Sequence, residues 1–254
     1  YCRKPHGAHA MPKCRDLRAG CKILHGGDGR MKKIISYCVL LILIPAVVVG
    51  GALLFRDRQY AWVSLCVTLL SCVPVFLHFE RSGADAKRMV LLACMTALSV
   101  LGRILFAMIP AFKPVTAMVV ITAMYFGSEA GFLTGALSAV ISNFYFGQGP
   151  WTPFQMFSWG ILGFIAGLLA APLKKSRIAL TLYAVLSGVL YSFLMDIWTV
   201  LWADGAFNIS RYLAAILSAA PFTAIYAVSN TVFLWLFARP IGKILDRLKT
   251  KYAL

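Results

Sequence analysis

A succession of apolar runs, separated by short polar connections, constrains this chain more than any other feature. With about 20 apolar residues per crossing as the ruler, the runs fall roughly at 33–55, 60–79, 87–109, 114–127, 129–146, 151–172, 178–202 and 211–238. In a bilayer every backbone N–H and C=O must find its partner inside the protein, which leaves helices and closed barrels as spanning solutions. Strand-like alternation of polarity is absent, so the expectation is an all-α polytopic membrane protein. The fourth run is short, bounded by Lys113-Pro114 and Gly127, and reads as tilted, broken or only partly crossing. Composition agrees, since 60% apolar and 13% charged residues in 254 lie far from the charge content of soluble domains.

Charge sets the expected topology. The net charge of +16 is spread over a tail and the short connections rather than over a continuous basic face, which argues against a nucleic-acid partner and for a bilayer with a basic inner side. The tail through Lys33, the connection with Arg81, Lys87 and Arg88, the segment Lys174-Lys175-Ser176-Arg177 and the stretch from Arg239 to Lys251 fall on one side, expected to be cytoplasmic with both termini. Arg56, Arg58, Arg103, Lys113, the uncharged loop 147–152, Asp204 and Arg211 fall on the other.

Residues 1–32 read as a basic tail, unstructured or upstream of the natural start, because Met31-Lys-Lys followed by an apolar run resembles an ordinary beginning. The tail carries Cys2, Cys14, Cys21, His6, His9 and His25, but no CxxC or HxxxH spacing, so no metal site is expected. No small-residue cleavage site follows the run at 34–55 and a second span comes at once, so it reads as a helix rather than a signal peptide. Cys38, Cys66, Cys72 and Cys94 lie in apolar spans, where Cys behaves as a small hydrophobe.

The stretch 113–159 concentrates the chemistry. It is too polar and too rich in Gly and Pro for one uninterrupted span, and reads as the outer ends of two helices with a tight loop between them. From Lys87 at the inner surface, Arg103 is sixteen residues along, about 24 Å, and so near the outer end of its helix. Asp196 reaches a similar depth, and with Asn143, Gln155 and Trp159 these define one layer. Lys113 and Gln148 border it, and Tyr145, Trp151 and Trp159 are candidates to stack on a flat ring. Blander readings stand beside these: Arg103 snorkelling to head groups, Asp196 pairing with Arg103 or Arg211, and Trp151, Trp198 and Trp202 as interfacial belt residues. Three amides around one loop exceed what helix gluing needs. Gly127, Gly131 and Gly135, then Gly163 and Gly167, recur every fourth residue and predict close helix packing; Ala93-x-x-x-Ala97 has the same spacing.

Several motifs together, Gly102-Arg103-x-x-Phe106, Phe112-Lys113-Pro114-Val115-Thr116-Ala117, Gly127-x-Glu129-Ala-Gly131-Phe-x-x-Gly135-Ala136-x-Ser138 and Asn143-Phe-x-Phe-Gly147-Gln-Gly-Pro-Trp-Thr-Pro-Phe-Gln-Met156, resemble the substrate-binding S component of an energy-coupling factor (ECF) vitamin transporter. They are most similar to its cobalamin-type branch. The resemblance implies a six-helix substrate-binding core at 86–242, preceded at 33–85 by two additional transmembrane helices and followed at 243–254 by a basic tail. It implies capture of a vitamin from outside, with 109–114 as a lid, and a substrate site drawn from Arg103, Lys113, Asn143, Tyr145, Gln148, Trp151, Gln155, Trp159, Asp196 and Trp202. It also implies docking through Ala93 and Ala97 to a membrane coupling subunit that works with two cytoplasmic ATPases, in the cell membrane of a prokaryote.

The residues agree with dependence on partners. No G-x-x-x-x-G-K-[ST] loop is present, and no chain of buried carboxylates runs through the spans. A self-sufficient secondary carrier remains the alternative, with a membrane-embedded enzyme behind it. All four His precede the candidate core, H-E-x-x-H is absent, and neither catalysis nor a cofactor is expected. Cobalamin, folate, riboflavin and a queuosine precursor all suit the ring-and-amide chemistry; the corrinoid preference rests on the resemblance.

Overall fold

The computed structural model describes residues 31–55, 60–82 and 86–252. The expected tail with its cysteines and histidines, and the connection carrying Arg56 and Arg58, lie outside the described residues. The described residues form helices and no strand: α1 (Met31–Leu54), α2 (Tyr60–Ser82), α3 (Ala86–Leu105), α4 (Val115–Phe126), α5 (Ser128–Phe146), α6 (Thr152–Leu168), α7 (Ala170–Lys175), α8 (Arg177–Asp204) and α9 (Ile209–Tyr252). By length and composition α1, α3, α8 and α9 are each able to cross a membrane.

The bundle is built around α4. Its sequence is apolar on every face, and every residue but Tyr125 is buried. Twelve residues rise about 18 Å, short of the roughly 30 Å hydrocarbon core, so α4 alone is too short to span it. It is surrounded by α3, α5, α6 and α9. Gly127, at φ 96°, makes the abrupt turn from α4 into α5, a left-handed conformation that a side chain would strain.

Glycines set the α5–α6 contact, the most extensive in the molecule. A Cβ on Gly131 would lie 2.7 Å from the Gly163 carbonyl oxygen, and one on Gly135 would lie 2.7 Å from the Gly160 nitrogen. The two backbones touch, as the every-fourth-residue spacing predicts. Ala93 and Ala97 behave differently: both are exposed on the surface of α3 and do not pack the bundle.

Two helix ends differ from expectation. The run 151–172 divides at Leu169 into α6 and the short α7, and Ser176 caps α8 by accepting from the Ala179 N–H at 3.3 Å. The last helix does not stop near 238 but continues through Pro240 to Tyr252. Leu245 is buried in the same apolar cluster as Met124 and Leu173, and Lys249 donates to the Tyr125 carbonyl. Tertiary contacts thus hold a helix that Pro240 alone would end. In α1 a π-helical turn at Val39–Leu43, in which the Ile44 N–H reaches back to the Val39 carbonyl, lies just ahead of Pro45. Helices α1 and α2 pack beside α5, α6 and α8, with Tyr37 edge-on to Phe164 at 5.0 Å.

Candidate ligand-binding site

The last turn of α3 brings Arg103 into the interior, 7% exposed, so its head does not snorkel to an interface. Nη1 donates to Ser142 Oγ and to Asn143 Oδ1, the latter at 2.7 Å. The guanidinium carbon lies 4.6 Å from the Phe146 ring centre and 5.0 Å from that of Trp159.

Asn143 is fully buried and its amide is fully engaged. Besides accepting from Arg103, it donates to Thr152 Oγ1 and Gln155 Oε1, both at 2.9 Å. Gln155 Nε2 in turn donates to the Tyr191 hydroxyl at 3.3 Å, and Tyr191 stacks on Trp159 with ring centres 5.1 Å apart and planes 12° from parallel. One network therefore ties α3, α5, α6 and α8 together and presents a flat aromatic pair beside a cation.

These side chains surround a cavity of about 60 Å³ lined by Arg103, Lys113, Gln155, Trp159 and Tyr191, together with Ala111, Val115, Thr116, Tyr226 and Asn230. Loop 106–114 contributes Ala111 and Lys113 to its wall. The Lys113 N–H donates to Ser229 Oγ at 2.9 Å, Ser229 Oγ donates back to the Lys113 carbonyl at 3.2 Å, and Phe112 packs on Phe233 with ring centres 4.9 Å apart. Ala111 takes a left-handed φ of 58° at the cavity wall. Lys113 Nζ lies 4.7 Å from the centre of the Phe146 ring, which also contacts Arg103. Burial, reinforced by the Arg103 charge, holds the Lys113 ammonium below the usual lysine pKa.

The remaining expected site residues lie elsewhere. Gln148 closes the α5–α6 turn, donating to the Val140 carbonyl at 2.8 Å and accepting from Thr152 Oγ1 at 3.1 Å. Trp151 packs edge-on to Trp198, which stacks on Trp202 at 5.8 Å, and Trp202 is 59% exposed. Tyr145 also faces outward. Asp196 is buried with Oδ2 unpartnered, and pairs with neither Arg103 nor Arg211; Arg211 instead meets Asp204 at 3.0 Å. Thr116, Tyr191, Tyr226 and Asn230 line the cavity without having been expected to. Tyr226 and Asn230 carry a legible signal, being polar residues four apart in an apolar helix and hence on one face.

Two other concavities bear on function. A groove of about 450 Å³ on the bundle surface, between α3 and α5, is lined by Ala93, Thr96, Ala97, Val100, Leu133 and Leu137 among others and is almost wholly apolar. At the end of the bundle where α3 begins, a cleft of about 400 Å³ gathers Lys174, Lys175, Arg177, Arg239 and Lys243.

Comparison with known proteins places the chain in a family. UPF0397 protein VSAL_I1988 of Aliivibrio salmonicida (strain LFI1238) is 29% identical over 148 residues, covering 56% of this chain and 78% of that protein. No solved structure matches the chain. The family model described as "ECF-type riboflavin transporter, S component" matches residues 84–247, more than half of the chain. The chain thus belongs to the family of ECF-type riboflavin transporter S components.

Proposed function

We propose that this protein captures a vitamin-class small molecule in the cavity beneath loop 106–114 and delivers it through a coupling subunit driven by separate ATPases. The observation that carries the reading is the cavity itself: a buried cation, a stacked Trp159–Tyr191 pair and the Gln155 amide converge under a loop pinned to α9. Such a wall binds a ring with polar substituents. At about 60 Å³ the cavity is far smaller than the ~300–1,000 Å³ of a ligand pocket, which supports reading it as a closed site that opens by movement of loop 106–114. Cobalamin, the ligand of the branch that the sequence resembles, and riboflavin, named by the family, lead the candidates, with folate and a queuosine precursor behind them.

The apolar groove that displays Ala93 and Ala97 supports docking of a membrane partner there, because small side chains let a neighbouring helix approach closely. The cluster of Lys and Arg around the opposite cleft supports an inner, cytoplasmic placement for that end, and hence an outward-facing site in a cell membrane. The test is vesicle uptake. With coupling subunit and ATPases present, ligand accumulates on ATP addition; with this chain alone it binds but does not accumulate. Accumulation by the chain alone, driven by an ion gradient, would instead make it a self-sufficient carrier.

A further inference from the structure

Arg103 and Lys113 line the same small cavity, Arg103 from α3 and Lys113 from loop 106–114, and both lie over the Phe146 ring. Neither forms an ion pair with a carboxylate among the described residues, where the Arg211–Asp204 bridge lies on the surface. Arg103 is more than nine-tenths buried, and its hydrogen bonds go to neutral oxygens through Nη1 alone. Its Nε is buried without a partner. A guanidinium offers five donors in a planar fork, so donors remain free. Burying a cation against neutral acceptors and ring faces leaves much of its lost hydration unreplaced, and a second cation over the same Phe146 ring adds repulsion. The arrangement lacks one component, an anion.

Resting on the capture function proposed above, we infer that this subsite takes an oxyanion of the ligand, a carboxylate or a phosphate, between Arg103 and Lys113, while the ligand's ring lies against Trp159 and Tyr191. A planar guanidinium fork suits such a group. Because Lys113 belongs to the loop and Arg103 to the bundle, the anion also bridges the two and holds the site shut.

The experiment uses the full chain purified in detergent and two pairs of probes that differ in the acidic group: riboflavin 5′-phosphate with riboflavin, and pantothenate with pantothenol. Equilibrium affinities are measured at matched ionic strength. In at least one pair the acid is expected to bind about tenfold tighter or more, a difference of ~1.4 kcal/mol. Lys113→Gln removes that preference, Lys113→Arg retains it, and Arg211→Gln, on the exposed surface, leaves it intact. Neutral members binding as tightly as the acids would overturn the anion subsite while leaving vitamin capture standing. A preference that survives Lys113→Gln, or a panel in which no acid binds, would overturn it as well; ATP-driven uptake of any ligand would still speak separately for capture.

Discussion

Replacing Asn143 by Ala tests whether this residue belongs to the ligand or to the scaffold. Its side chain is fully buried and makes one bond with a charged partner, Arg103 at 2.7 Å, and two neutral ones, to Thr152 and Gln155 at 2.9 Å each. A bond to a charged group contributes ~1.5–3 kcal/mol and a neutral one ~0.5–1.5 kcal/mol, with losses at the upper end where a buried group is left unsatisfied. Polar contacts inside membrane bundles run lower, on average ~0.6 kcal/mol, because the unfolded chain in lipid finds other partners. Ser142 still accepts from Arg103, which limits the damage. The expected cost is therefore about 2–4 kcal/mol of folding stability. Unfolding of the purified protein in mixed micelles, followed by tryptophan fluorescence, measures it directly. Weakened ligand binding should accompany the loss, because Arg103 and Gln155 are no longer held. A variant that unfolds like the parent protein and loses only ligand affinity would refute the reasoning, and would mean that the Asn143 amide faces the ligand.

Other perturbations separate packing, docking and charge. Trp at Ala93 and Ala97, both exposed, should abolish partner-dependent uptake and leave ligand affinity and unfolding unchanged; loss of binding would show that the pair supports the bundle. Gly163→Ala places a Cβ 2.7 Å from Val119 Cγ1 and against the Gly131 backbone, and should cost about 1–3 kcal/mol in the same unfolding assay. Gly50→Ala, where nothing lies within 4 Å, should stabilise α1 by up to ~1 kcal/mol. The depressed Lys113 value has a definite sign. The ligand-free folded state holds this proton less tightly than the unfolded chain, so stability should rise with pH between the depressed value and the ordinary 10.5, while affinity for an acidic ligand falls over the same range. Lys113→Gln should flatten that part of both profiles.

Much of the fold was legible in the sequence, because lipid leaves few solutions and hydropathy marks them. The uniformly apolar run at 115–126 became the buried α4, and the fourfold glycine spacing became the α5–α6 contact. Legibility failed where neighbours decide the outcome. The apolar run ends near 238, yet Leu245 and Lys249 find partners on the core and carry α9 past Pro240 to Tyr252. Depth along a helix was readable by arithmetic only in part: of the expected layer, Arg103, Asn143, Gln155 and Trp159 are in contact, whereas Asp196 joins neither their network nor the cavity lining. Rotation about the helix axis was not readable in the same way. Tyr145 and Trp202 have suitable chemistry and depth but turn outward, whereas Tyr191 turns in. Only packing against neighbours sets that rotation, and the tyrosine type alone carries no record of it.

Equilibrium binding of radiolabelled riboflavin and cobalamin to the purified chain, with no coupling subunit and no ATPase present, tests the central claim most directly. The account predicts saturable one-to-one binding of at least one vitamin-class ligand, weakened at least about tenfold by Arg103→Gln, the loss of one charge-assisted contact. Binding that appears only when the partner subunits are added, or that is indifferent to Arg103→Gln, would contradict it.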